Sequence, residues 1–395
     1  MTYRNTAVLF SSLLLFALVP VTAIAQTAKH DAGSIEREAA GTTPADPGPL
    51  ATGLSPKLHS KDIQKAMRKG ADWQLSAAES KFNRQWTFAT LYDGLLAASA
   101  TTGDPKYRDA VAQASSEKFH WALEQARFPH ADDEALGKSY LALYQLAPEP
   151  VKIADVRSTM DRLVARPDDP NKNVWWWCDA LYMAPPVLAD LARITGDHRY
   201  LDYMDHEWAL TTAQLYDPQQ HLFTRDATFL QKTEANGQKL FWARGNGWVL
   251  GALVRVLSAM PKDHPTRPKY EQQFRDMADR VAGLQQPDGL WRTGLLDQEA
   301  YKEPEVSGTA FYTYAMAWGI NTGRLPRAKF LPVVTKAWAG MLTHIYADGR
   351  LGSIQPIGAA PDAVGVSSSY VYGVGGFLLA GSELDRMARK TGSKK

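Results

Sequence analysis

A chain of 395 residues with 44 basic and 42 acidic side chains has a formal net charge of +2, and its lysines and arginines are scattered rather than blocked. That balance offers a nucleic acid no clustered basic face and points to no acidic or basic partner. A hydrophobic fraction of 45% suits a globular protein with a large core, and the single cysteine, Cys178, excludes an internal disulfide.

The first element in chain order is a targeting segment. Arg4, an apolar stretch from Ala7 to Val21 and a small-residue site at Ala23-Ile24-Ala25 make the three parts of a secretory signal peptide. Residues 1–25 are therefore expected to be cleaved near Ala25, leaving a secreted or periplasmic protein. The apolar stretch is short for a membrane span, and no stable membrane association is expected. Residues 26–58, which include AAGTTPADPGPLATGLSPK, are rich in Pro, Gly, Ala and Thr without periodicity and read as a flexible leader. Folded sequence is expected over residues 59–390, without a second linker.

That part reads as helix after helix. LYDGLLAASATTGD (91–104), LYMAPPVLADLARITGD (181–197), NGWVLGALVRVLSAM (246–260) and GTAFYTYAMAWGINTG (308–323) carry apolar residues at three- and four-residue spacing, while strand-like alternation is sparse. Two internal echoes suggest repeated hairpins: TTGDPKY (101–107) against ITGDHRY (194–200), and QPDGLW (286–291) against YADGRL (346–351). Six or so helical hairpins fit the length, which predicts an all-α fold, an (α/α)6 barrel, with an open α-solenoid as the alternative. Loops 217–229 and 286–297, rich in aromatics and aspartates, favour a barrel with one functional mouth.

Nine histidines are dispersed, with no HExxH motif and no paired-cysteine spacing, so no metal is expected. There is no nucleophile elbow, P-loop or dinucleotide fingerprint; RGNGW (244–248) lacks the third glycine and a preceding strand. No cofactor is expected either. What remains are aspartates beside aromatics. In WWWCDALYMAPP (175–186), Asp179 follows Trp177 at a helix start. It can cap that helix, or be an acid held against apolar rings, where desolvation keeps a carboxyl protonated. In HADDEALGK (130–138), one of Asp132 and Asp133 can cap while the other points elsewhere. In FWARGNGWVLGAL (241–253), Arg244 between Trp242 and Trp248 can fork a carboxylate beside a sugar-stacking indole, or simply pack on the rings. Ser307 and Thr309 in EVSGTAFYTY (305–314) read, taken alone, as a helix cap.

Taken in order with YGVGGFLLAGSEL (372–384), these stretches resemble family 105 glycoside hydrolases, the unsaturated rhamnogalacturonyl hydrolases, and more distantly the unsaturated glucuronyl hydrolases of family 88. The resemblance covers about residues 60–385. It implies an (α/α)6 barrel and an oligosaccharide substrate released by a polysaccharide lyase, ending in a 4,5-unsaturated uronic acid. The rhamnogalacturonan type is favoured. In that reaction an acid protonates C4, water traps the cation at C5, and the hemiketal opens to expel the rest of the chain. The resemblance implies Asp179 as proton donor and an aspartate of the next pair, Asp132 in preference to Asp133, holding sugar hydroxyls and the water. It further implies substrate contacts from Trp86, Asp133, Trp177, Arg225, Trp242, Arg244, Trp248, Ser307 and Thr309. Arg225 stands where some relatives carry a histidine, which bears on the choice of substrate. A conventional inverting glycosidase would need a second carboxylate from Asp132, Asp133 or Asp226, and a non-catalytic sugar-binding protein would need none.

Overall fold

The computed structural model describes Met1 and residues 39–169 and 172–392, so the expected signal peptide lies, but for Met1, outside the described residues. None of the described helices is long and apolar enough to cross a membrane.

Within the unit Ala40–Lys395, twelve helices of eight or more residues alternate between two concentric rings among the described residues. They are α1 (Ser60–Ala78), α2 (Trp86–Thr102), α3 (Lys106–Gln113), α4 (Gly137–Leu146), α5 (Val151–Val164), α6 (Pro185–Thr195), α7 (Arg199–Leu215), α8 (Ala243–Ala259), α9 (Arg267–Ala282), α10 (Val306–Asn321), α11 (Arg327–Leu342) and α12 (Val371–Gly392). The even-numbered helices form the inner ring, each touching the next, and α12 returns to α2. That contact closes the barrel and removes the open solenoid. It also brings the first and last of these helices together, because α12 packs on the outer helix α1.

The sequence explains the two rings. Inner helices are covered on both sides, so they are apolar all round: α10 buries every residue from Val306 to Ile320. Outer helices bury one stripe, as α9 does with Tyr270, Phe274, Met277, Ala278 and Val281. The first echo marks the inner-to-outer turn. Gly103 and Gly196 end α2 and α6 at φ 73° and 74°, a left-handed conformation that glycine adopts without strain. The tyrosines that follow tie neighbouring outer helices together, Tyr107 donating to Asp72 and Tyr200 to Asp161. Tyr270 repeats the latch on Asp205 without the glycine motif.

The expected leader is corrected in its second half. Gly41–Thr42 pairs with Ser369–Tyr370, the Ala51 amide donates to the Ile345 carbonyl at 2.7 Å, and the Ala347 amide donates to Pro49 at 2.8 Å. Composition hides this, since the partners are backbone groups some three hundred residues away.

Because each inner helix is followed by an outer helix running back, the six inner helices are parallel and their N-terminal ends share one mouth. Turns at the opposite end are short, whereas the segments entering α4, α6, α8, α10 and α12 are long. Six helix N-termini bring partial positive charge to that mouth, and the long segments bring side chains.

Candidate active site

Asp179 enters the mouth just before α6. Pro185 and Pro186 confine the preceding turn to Ala180–Met183, and Asp179 occupies its N-cap position without making a side-chain cap. The capping alternative therefore falls away. The carboxylate instead accepts from the Cys178 thiol (Sγ to Oδ2, 3.4 Å) and lies 3.8 Å from Arg225 Nε. Burial pushes its pKa above the usual carboxylate range, against the opposing pull of Arg225, Arg244 and the thiol.

Arg225 reaches Asp179 through a backbone bridge. Trp177 pairs with Asp226, and the Cys178 amide donates to the Arg225 carbonyl at 2.8 Å. The bridge makes a short strand-like stretch in which the three indoles alternate: Trp175 and Trp177 turn inward, while Trp176 is 46% exposed and carries the Arg225 guanidinium 5.4 Å from its ring. The exposed indole is thus Trp176, not the expected Trp177, whose ring packs 4.5 Å from His130. Period-two alternation across 175–177 was the available signal. Arg225 Nε is buried without a hydrogen-bond partner, and Nη1 holds Asp226.

Both oxygens of Asp226 are taken, Oδ1 by the Thr228 amide and hydroxyl and Oδ2 by Arg225. Asp133 is likewise occupied: Oδ2 accepts the Arg127 amide and Oδ1 accepts its guanidinium. Both are thus engaged by the protein itself, and Asp133, expected to contact sugar, holds residues 127–133 together in this structure. Asp133→Ala is expected to cost about 2 kcal/mol in chemical unfolding, the worth of a charged hydrogen-bond cluster with one solvated partner. Asp132 is more open, its Oδ2 lying 3.5 Å from Arg127 Nη1 and 3.6 Å from His130 Nδ1. His130 was missed by sequence reasoning. Burial, with Arg127 and Arg225 nearby, lowers its pKa to about 4, so at neutral pH it is an uncharged imidazole.

The other residues expected to contact substrate make the following contacts within the protein. Trp242 donates to Gln355 Oε1 at 2.7 Å, and its face is covered by Arg244 at 4.4 Å. Arg244 spends its fork on the carbonyls of Gln355 (2.8 Å) and Pro356 (2.9 Å), leaving only Nε unpartnered. Trp248 is fully buried among Trp86, Tyr182, Phe311 and Tyr372. Trp86 itself is half-buried and stacks on Tyr372 at 5.4 Å. Ser307 Oγ donates to Glu305 Oε1 and Thr309 to the Glu305 carbonyl; Glu305, unnoticed in the sequence, caps α10 through the Ser307 and Gly308 amides. Asn246 of RGNGW clamps Phe223 from both sides, accepting from its amide and donating to its carbonyl. The motif is therefore a junction that fixes the segments carrying Arg225 and Gln355. Away from this cluster, Asp168, His206 and Glu207 are the described side chains close enough to share an ion.

A mouth with a buried acid free of capping duty, a cation against it and indoles around it suits an acid-catalysed sugar reaction, and the comparisons agree. Residues 59–388 match glycosyl hydrolase family 88. An unsaturated 3S-rhamnoglycuronyl hydrolase of Formosa agariphila is 40% identical over 83% of this chain and 91% of the relative. A protein of the same name from an Alteromonas species is 32% identical over 78% of this chain and 79% of the relative. Among solved structures, a glycosyl hydrolase family 88 protein from Bacteroides vulgatus superposes with a TM-score of 0.78 at 31% identity, covering 83% of this chain and 99% of that one. By this match along nearly the whole folded body, the chain belongs to glycosyl hydrolase family 88.

Proposed function

We propose that this glycoside hydrolase removes the terminal 4,5-unsaturated uronic acid from lyase-generated oligosaccharides, with Asp179 as proton donor. The carrying observation is the state of that residue: an acid buried at the helix mouth, free of capping duty, with burial raising its pKa. An enol ether can be protonated at C4 without an enzyme nucleophile. Positive charge then develops at C5 and the ring oxygen, water adds at C5, and the resulting hemiketal opens to release the aglycone. One positioned acid suffices, whereas a conventional glycosidase needs a carboxylate pair. With Asp133 and Asp226 both engaged, Asp132 is the more open of the three aspartates that the inverting alternative could call on.

In this reading Arg225 receives the uronate carboxylate through its unpartnered Nε, Trp176 offers the exposed stacking face, and Asp132 orders the attacking water. Arg225→Met is expected to raise KM about 10- to 100-fold, the loss of one charge-assisted contact, with a smaller change in kcat. Steady-state kinetics on an unsaturated disaccharide checks it, and an unchanged KM would remove Arg225 from substrate binding.

The names of the two relatives shift the aglycone from the rhamnogalacturonan type to rhamnose with sulfate at O3. The signal-peptide pattern of residues 1–25 supports work outside the cytoplasm. The test is the ultraviolet absorbance of the conjugated double bond during incubation with unsaturated disaccharides bearing sulfated rhamnose, unsulfated rhamnose or galacturonan-type partners. Loss of absorbance fastest on the sulfated substrate supports the reading. Flat absorbance on all three, with cleavage of saturated uronides, would replace it by the conventional glycosidase.

A further inference from the structure

Cys178 has no role in the chemistry so far, yet it is the side chain hydrogen-bonded to the acid. Its Sγ lies 3.4 Å from Asp179 Oδ2. The thiol is fully buried and held on two sides. Its amide is fixed by the Arg225 carbonyl at 2.8 Å, and across the site it faces Gly245 of α8, where an added Cβ would come within 3.2 Å of Sγ. A residue that merely filled space would need neither a donor nor this registration.

We infer that Cys178 is a positioning residue for Asp179: its thiol donates to Oδ2, so that Oδ1 is the oxygen that carries the proton to C4 of the sugar. The inference rests on the reading of Asp179 as proton donor. The thiol donates to Oδ2, and the positive charge of Arg225 stands on the same side, its Nε 3.8 Å from that oxygen and not hydrogen-bonded to it. A carboxylic acid whose Oδ2 accepts hydrogen bonds keeps its own proton on Oδ1. After transfer, the same thiol donor and the nearby guanidinium charge face the carboxylate that forms, so the site needs no rearrangement to stabilise it. For the thiol to serve, it must stay protonated. Burial, reinforced by the neighbouring Asp179, pushes its pKa well above the ordinary thiol value.

The other charged and titratable groups around this pair are fixed in place. Arg225 and Asp226 come from the segment before α8, Arg244 from α8 and Tyr312 from α10. The segment 127–134 brings Arg127, His130, Asp132, Asp133 and Glu134 against the turn Ala180–Met183. The thiol is hydrogen-bonded to the Asp179 carboxyl, so its removal acts first on Asp179.

The experiment compares Cys178→Ala and Cys178→Ser with the parent, measuring kcat and KM against pH on one unsaturated disaccharide, with Asp179→Asn as reference. Removing the donor withdraws support from the carboxylate form. In Cys178→Ala the alkaline limb should therefore move up by roughly half a pH unit, the worth of a weak hydrogen bond. kcat should fall several-fold while KM holds. Cys178→Ser keeps a donor and should return most of kcat and of the parent profile. A Cys178→Ala profile that superimposes on the parent, with Asp179→Asn inactive, overturns this inference alone. If Asp179→Asn keeps full activity, the reading of the site itself fails. Should Cys178→Ala prove unstable, Cys178→Ser carries the decision: a profile moved up as far as a donor-free site predicts would equally overturn the role of the donated hydrogen.

Discussion

Asp179→Asn is expected to lower kcat/KM on an unsaturated disaccharide by about three orders of magnitude, near the middle of what general acid catalysis supplies. Asparagine keeps the shape of the side chain and can still accept from the Cys178 thiol, so the mouth should retain its geometry and its sugar affinity. What disappears is the proton for C4. Since protonating the double bond creates the electrophile, no other step can proceed first, and the loss falls on kcat. The sign of the pH dependence follows from the raised pKa of Asp179. The acid must be protonated to act, so parent activity falls as pH rises through that raised value, and burial moves the fall toward neutrality. The residual activity of Asp179→Asn should lack this limb. A variant that retains more than a tenth of parental kcat with the limb intact would mean that another group delivers the proton, and Asp132 would be the first to examine. Retained sugar binding with catalysis lost also separates the enzyme from a sugar-binding protein, whose function an asparagine would leave untouched.

That Asp179 stands out in the sequence, while several residues around it do not, has a physical basis. The four helices singled out by spacing, around 91–104, 181–197, 246–260 and 308–323, are all inner helices, because burial on both faces gives them the densest apolar signal. Outer helices such as α9 present one thin stripe among charges and stand out less. The acid shows itself because an aspartate beside three indoles is costly unless it has work to do. Arg244 misleads for the opposite reason. A guanidinium between tryptophans reads as a carboxylate fork, but carbonyls at Gln355 and Pro356, more than a hundred residues on, claim that fork. No local pattern announces a partner at that distance. The same holds for residues 40–58, several of whose backbone groups pair with the strand and loop before α12. Trp176 was within reach: the bridge between Trp177 and Asp226 imposes a two-residue alternation that turns the middle indole outward.

Glu134 carries the other large expected effect, on stability rather than rate. It is 1% exposed in the turn Ala131–Glu134, and neither carboxyl oxygen has a hydrogen-bond partner in the protein. Burial, followed by repulsion from Asp133 and Asp132, raises its pKa from 4.5 to about 8. Below the unfolded value of 4.5 the residue is neutral in both states, and its contribution is fully present. Between 4.5 and about 8 the unfolded chain gives up the proton while the folded protein keeps it, so unfolding is increasingly favoured as pH rises. At about 1.4 kcal/mol per pH unit, the stability lost across that window amounts to several kcal/mol. Glu134→Gln cannot ionise. Its unfolding free energy from urea titrations should lack this slope, so the variant gains steadily on the parent from about pH 4.5 and is the more stable of the two by pH 8. Parallel stability curves would mean that Glu134 is ionised and compensated in the folded state. The neutral form also matters for the mouth. On the proposed reading, in which Arg225 receives the uronate, a negative charge on Glu134 would repel that substrate, so a protonated Glu134 leaves the cation's attraction undiminished.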